Sequence, residues 1–153
     1  MKTMKPEDLI NNLHSLNGPA LWSTLAILLI ALCANLLYYR TLQRTMRVID
    51  PSRRPFPPIT VWASLLPLVG ILWFMVYIIM LSLGLQKELR ARNLPGNGAF
   101  GVTMGTVTLF LLFLVPGYQL YVVFPAMILW AIHWHRMAMY RKLLADPVYL
   151  LVD

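Results

Sequence analysis

The sequence predicts an all-helical integral membrane protein, a bundle of four transmembrane helices with a short N-terminal amphipathic helix. Three observations lead there. Of 153 residues, 59% are hydrophobic and only 12% are charged, about half the charged fraction of an average soluble domain, so most of the usual solvated surface is missing. The apolar residues gather in uncharged runs of the length a helix needs to cross a hydrocarbon core. Strand-like alternation is absent, and helices are the only open-ended structures that satisfy their backbone in lipid.

The elements follow in order. Residues 1–19 read as an amphipathic surface segment: Pro6 suits a first helical position, and Glu7 and Asp8 complement the N-terminal dipole. Leu9, Ile10, Leu13 and Leu16 share one face, and Asn17-Gly18-Pro19 ends the segment. It serves as a partner-docking helix or as an interfacial anchor. A transmembrane domain over 20–144 follows, with spans at about 20–39, 59–84, 98–115 and 119–135, then a short tail at 145–153. The first span is too long for a signal-peptide core and lacks a small-residue cleavage site. "IALC" fails as a lipoprotein box because Leu32 precedes Cys33. The lone Cys33 has no internal disulfide partner and reads as a small apolar packing residue.

Charge sets the orientation. Four simple crossings put the N-terminus, the loop 85–97 and the C-terminus on one side, with eight Lys and Arg against five in the loop 40–58. This favours both termini in the cytoplasm. Yet Arg40, Arg44 and Arg47 recur at helical spacing, as if the first helix ran on into an anionic headgroup layer. A second layout lets the run 59–84 dip in and return at Pro67 and Gly70, which collects eleven basic residues on one side against two. The length of the run favours a tilted crossing instead.

No Asp, Glu, Lys or Arg interrupts the four runs, which argues against an ion-coupled pump. Nucleotide-binding loops, hydrolase elbows and zinc spacings are absent from the sequence. The weak candidates for cofactor binding are His133 and His135 in "AIHWHRM". Two residues apart, they point about 200° from each other on a helix, so at most one faces inward. The plainer expectation is an interfacial belt of Trp130, Trp134, both histidines and Arg136, with Arg40, Arg44 and Arg47 as further anchors. No cofactor and no metal is expected.

Packing signals are clearer. Gly98, Gly101 and Gly105, continued by Thr108, fall at helical spacing and predict a close-approach groove on the third helix, toward a neighbouring helix of the chain or a partner. Trp62 and Trp73 are expected along one side of the second helix, and Glu88 with Arg92 as a solvated i, i+4 pair.

The pattern Pro58, Val61, Trp62, Leu66, Pro67, Trp73, Ser82, Glu88, Gly101, Trp134, Tyr140 and Leu144 resembles a family of small bacterial multi-pass membrane proteins. Its signature runs P-x-x-V-W-x-x-L-I-P and ends W-x-x-x-Y-x-x-x-L. The likeness covers about the last two thirds of the chain. His133 departs from it, since a Tyr is common there. The resemblance implies a membrane location and no particular activity.

The sequence thus points to a non-catalytic accessory subunit of a larger assembly in a bacterial inner membrane. Its expected partners are membrane lipids including anionic headgroups, and other membrane subunits or copies of itself. Nucleic acid is not expected, because the net charge of +7 flanks the spans. The rival readings are an enzyme or electron carrier holding haem or quinone, and a homo-oligomeric pore lined by Thr103, Thr106 and Thr108.

Overall fold

The computed structural model describes residues 18–67 and 69–145. The amphipathic helix expected at the N-terminus, His14 and the tail after Ala145 lie outside the described residues. Within them the chain is all-helical: α1 is Pro19–Val48, a 3-10 helix spans Pro58–Leu65, α2 is Val69–Ala91, α3 is Phe100–Phe113 and α4 is Gln119–Ala145. Two of these, α1 and α2, are long and apolar enough to cross a membrane.

The chain divides into two units between Leu37 and Tyr38, inside α1. In the first, residues 18–37 form helix from Pro19, whose missing N–H suits a first helical position. Ser23 and Thr24 return their hydroxyls to the Ala20 carbonyl, and Asn35 donates to the Ala31 carbonyl, so these polar groups are satisfied within the helix. Most apolar side chains of this stretch, Trp22 and Ile30 among them, are exposed.

In the second unit α1 continues nine residues past the expected span, to Val48. It does so because Tyr38, Leu42, Thr45, Met46 and Ile49 keep one face buried. Arg54 then closes the helix by donating to the carbonyls of Arg47 and Ile49.

The run 59–84 is not one helix, contrary to the sequence expectation. The 3-10 helix stops at Leu66, whose ψ of 132° is extended. The cause is Pro67, which disfavours helical backbone in the residue before it. The chain then reverses and α2 starts at Val69. The two limbs lie side by side and antiparallel: Trp73 donates to the Thr60 carbonyl at 2.7 Å, Phe56 packs at a tilt against Trp73, and Pro55 approaches Gly84. Near the bend, a Cβ on Gly70 would strike the Ser64 carbonyl, so glycine is what lets the limbs touch. Trp62 and Trp73 therefore sit on different limbs, Trp62 reaching back to Gln43 of α1.

α2 ends in a Schellman motif. Asn93 is left-handed at φ 54°, Asn93 N–H bonds to the Arg90 carbonyl, and Leu94 N–H bonds to the Leu89 carbonyl. α3 returns antiparallel to α2, with Phe74 edge-on to Phe110 and Ser82 bonded to the Gly98 carbonyl. The turn at Pro116, Gly117 and Tyr118 reverses the chain, and α4 runs antiparallel to α3 and parallel to the end of α1.

In the second unit the C-terminal ends of α1, α2 and α4 meet at one end, together with the start of α3, while the Pro67 bend and the 116–118 turn mark the opposite one. Four simple crossings would have separated the loop 40–58 from the loop 85–97. The Arg53–Glu88 ion pair joins them instead.

Candidate functional site

Two polar constellations stand out in the second unit. The first lies where the helix ends meet. The sequence expectation of a solvated Glu88–Arg92 turn is corrected here: Glu88 is 0% exposed. Its Oε2 accepts from Arg53 Nε at 2.7 Å and from the Asp50 backbone N–H at 3.2 Å, and its Oε1 accepts from Arg92 Nε at 2.7 Å. Arg92 also donates to the Leu144 carbonyl at 3.0 Å and the Val48 carbonyl at 3.4 Å. One carboxylate and one guanidinium thus tie together the ends of α1, α2 and α4. Such charge-assisted bonds to otherwise unpaired helix-end carbonyls hold three helices at a fixed depth.

The electrostatics agree with the geometry. Burial pushes the Glu88 carboxyl up, but hydrogen bonds from Arg53, Arg92 and the Asp50 backbone outweigh it and hold the group below the ordinary glutamate value. The Ser52 hydroxyl and N–H hold Asp50 low in the same direction, and the hydrogen bond to Glu88 raises Arg53 further.

The second constellation is a buried polar thread through the bundle. Thr103 Oγ1 gives its single hydrogen to the Ala99 carbonyl, so toward His133 Nε2, at 3.1 Å, it acts as acceptor. His133 is then protonated at Nε2, and its Nδ1 accepts from the Tyr38 hydroxyl at 2.7 Å. Tyr38 itself sits among Phe74, Trp130, Trp134 and Tyr39, with ring centroids 5.3–6.1 Å away. Both nitrogens of His133 are engaged in linking α1, α3 and α4. His133 is thus not part of an interfacial belt, as the sequence suggested, but a core residue, while His135 is exposed on the other side of α4.

The remaining expected residues divide. Trp130 and Trp134 are half-buried against Tyr38, and Trp134 donates to Thr41, while Arg136 is exposed. Arg40, Arg44 and Arg47 are exposed along α1. The glycine groove is corrected in part. Gly98, at φ 63°, lies before α3 and meets the backbone of Ser82 and Gln86 closely, and Gly105 faces Leu129 of α4. Gly101 has open space beside it and Thr108 is exposed. The spacing argument extended one helix across a start that comes only at Phe100. The buried face of α3 is Thr103, Thr106 and Val107, so Thr103, Thr106 and Thr108 do not line a common surface.

Among the described residues no group of three or more His, Cys, Asp or Glu converges as a metal site would require. No family model, no curated protein and no solved structure matches the chain.

Proposed function

We propose that this chain is a multi-pass protein of a bacterial cytoplasmic membrane and acts there as a non-catalytic accessory subunit, with the end that gathers Arg53, Glu88 and Arg92 facing the cytoplasm. The observation that carries the reading is the one-sided charge. Arg40, Arg44, Arg47, Arg53, Arg54, Lys87, Arg90, Arg92, Arg136, Arg141 and Lys142 all lie toward the end of the second unit where α1, α2 and α4 terminate. The opposite bends, Leu66-Pro67 and 114–118, carry no charge. Basic residues on cytoplasmic loops are the main determinant of orientation in such membranes.

Two further observations support it. Large apolar side chains cover the outside: Leu120 is 83% and Phe124 is 72% exposed, a density that water-soluble monomers rarely present. The buried ionisable side chains Glu88 and His133 are committed to partners within the chain. What such a protein offers to others is its exterior, through lipid-depth helix faces.

On this reading the 3-10 helix and α2 form a re-entrant hairpin beside α3 and α4. Native mass spectrometry of the protein extracted from its own membrane in mild detergent tests the role. Foreign subunits at fixed stoichiometry are expected. A lone chain carrying extra mass of haem or quinone size refutes the accessory role and favours the electron-transfer alternative.

A further inference from the structure

We infer that Tyr38 and His133 form a proton-coupled one-electron donor, reached through Trp130 by a lipid-borne oxidant of the peroxyl-radical class. The residues concerned all belong to the second unit. Among the described tyrosines, Tyr38 alone places its hydroxyl on a basic nitrogen, 2.7 Å from His133 Nδ1. Tyr77 is equally buried, but its hydroxyl has no partner.

Loss of one electron makes a phenol strongly acidic, so it proceeds readily where a base takes the proton in the same event. Here the proton moves along a bond already formed. The Tyr38 O–H bond breaks, the proton passes to Nδ1, and a neutral tyrosyl radical is left opposite an imidazolium. That cation needs two acceptors, and both are in place: the tyrosyl oxygen at Nδ1 and Thr103 Oγ1 at Nε2, 3.1 Å away. Thr103 keeps its own hydrogen on the Ala99 carbonyl and so does not compete as a donor. A buried charge is tolerated only when hydrogen-bonded in this way.

Tyr38 and His133 are fully buried, so an oxidant does not touch them. Trp130 and Trp134 are half-buried and stand edge-on to Tyr38, with ring centroids 5.3 and 5.9 Å from it and 5.2 Å from each other. Indoles and phenols lose an electron at similar potentials, so an oxidised Trp130 is refilled from Tyr38. Trp130 lies on the stretch of α4 that exposes Phe124, Met127 and Ile128, which the membrane reading places among acyl chains. An oxidant dissolved there, rather than in water, reaches the indole. A peroxyl radical takes the electron from Trp130 and a proton from interfacial water, leaving a hydroperoxide and hydroxide. Each chain supplies one electron.

The lipid-phase oxidant rests on the membrane reading above. For the test, the purified full chain is placed in vesicles of saturated phosphatidylcholine, and a lipid-soluble azo initiator under oxygen supplies peroxyl radicals. Freeze-trapped samples are read by electron paramagnetic resonance. Wild type is expected to give a tyrosyl radical with a nitrogen coupling that changes when histidine is isotopically labelled. Y38F loses the radical, Y77F retains it, and W130F lowers its yield. No tyrosyl radical in wild type, no histidine coupling, or an undiminished signal in Y38F overturns the inference, and an unchanged yield in W130F overturns the route. The coupling is read on wild type, so the outcome does not depend on how well a variant folds. The membrane reading fails separately, if salt without detergent releases the chain from native membranes. In that case the same radical, raised in detergent by a water-soluble ruthenium photo-oxidant, keeps the pair and discards the lipid-borne oxidant.

Discussion

Gly98→Ala gives a sharp test of how α2 and α3 are joined. Gly98 has φ 63°, and a Cβ there would collide with the Ser82 carbonyl and lie 2.9 Å from the Gln86 nitrogen. Both are backbone atoms of α2, so no side chain can rotate aside. A left-handed conformation costs a non-glycine residue roughly 1–2 kcal/mol. Moving the segment also weakens the buried Ser82–Gly98 hydrogen bond of 2.7 Å, worth about 1–2 kcal/mol when a buried partner is left unsatisfied. Together these give about 2–4 kcal/mol, or a fall in Tm of roughly 5–15 °C for a chain of this size. Thermal unfolding in mild detergent, followed by circular dichroism, measures it. Gly101→Ala is the control: with open space at its Cβ, it should be neutral or gain up to about 1 kcal/mol. If Gly98→Ala unfolds within a degree of wild type, or if the two variants cost the same, the close approach at Gly98 is wrong.

Other expectations follow from the same contacts. Tyr38→Phe leaves His133 Nδ1 without its donor and should cost about 1–2 kcal/mol, whereas Tyr77→Phe removes a buried hydroxyl that has no protein partner and should be neutral or stabilising; paired unfolding curves decide this, and equal losses would refute it. Glu88 is held below its ordinary pKa, so its contribution is fully present above the unfolded value of about 4.3 and is lost as pH falls through the folded value. Unfolding midpoints should therefore decline below about pH 4.3 in wild type and decline less in Glu88→Gln, and parallel pH curves would contradict this. Gly70→Ala should separate the 3-10 helix from α2 at the bend, read as faster hydrogen exchange over residues 60–66; unchanged exchange there would refute that packing.

The all-helical class was legible because lipid-length apolar runs leave few alternatives. Boundaries were legible only where the local chemistry is decisive. Pro67 was read as an interruption, but whether a run of that length bends or reverses depends on Gly70 accepting the Ser64 carbonyl and on Trp73 reaching Thr60, contacts between residues that no periodicity pairs. Glu88 looked solvated because Arg92 stands four residues away. Its burial depends on Arg53, which lies 35 residues earlier, and on the Val48 and Leu144 carbonyls that Arg92 caps. His133 carried a legible signal, since only one of His133 and His135 could face inward, yet its partners Tyr38 and Thr103 belong to other helices. Pro67, Trp73, Ser82, Glu88 and Leu144 are among the residues that set these long-range contacts.

In the proposed topology the loops flanking the 3-10 helix and α2 share one side of a membrane. Single cysteines at Ser52, Lys87 and Tyr118, in a Cys33→Ala background, test it with a membrane-impermeant thiol reagent applied to intact cells and to inverted vesicles. Ser52→Cys and Lys87→Cys are expected to label only in inverted vesicles and Tyr118→Cys only in intact cells. Labelling of Ser52→Cys and Lys87→Cys from opposite sides would contradict it and restore four simple crossings.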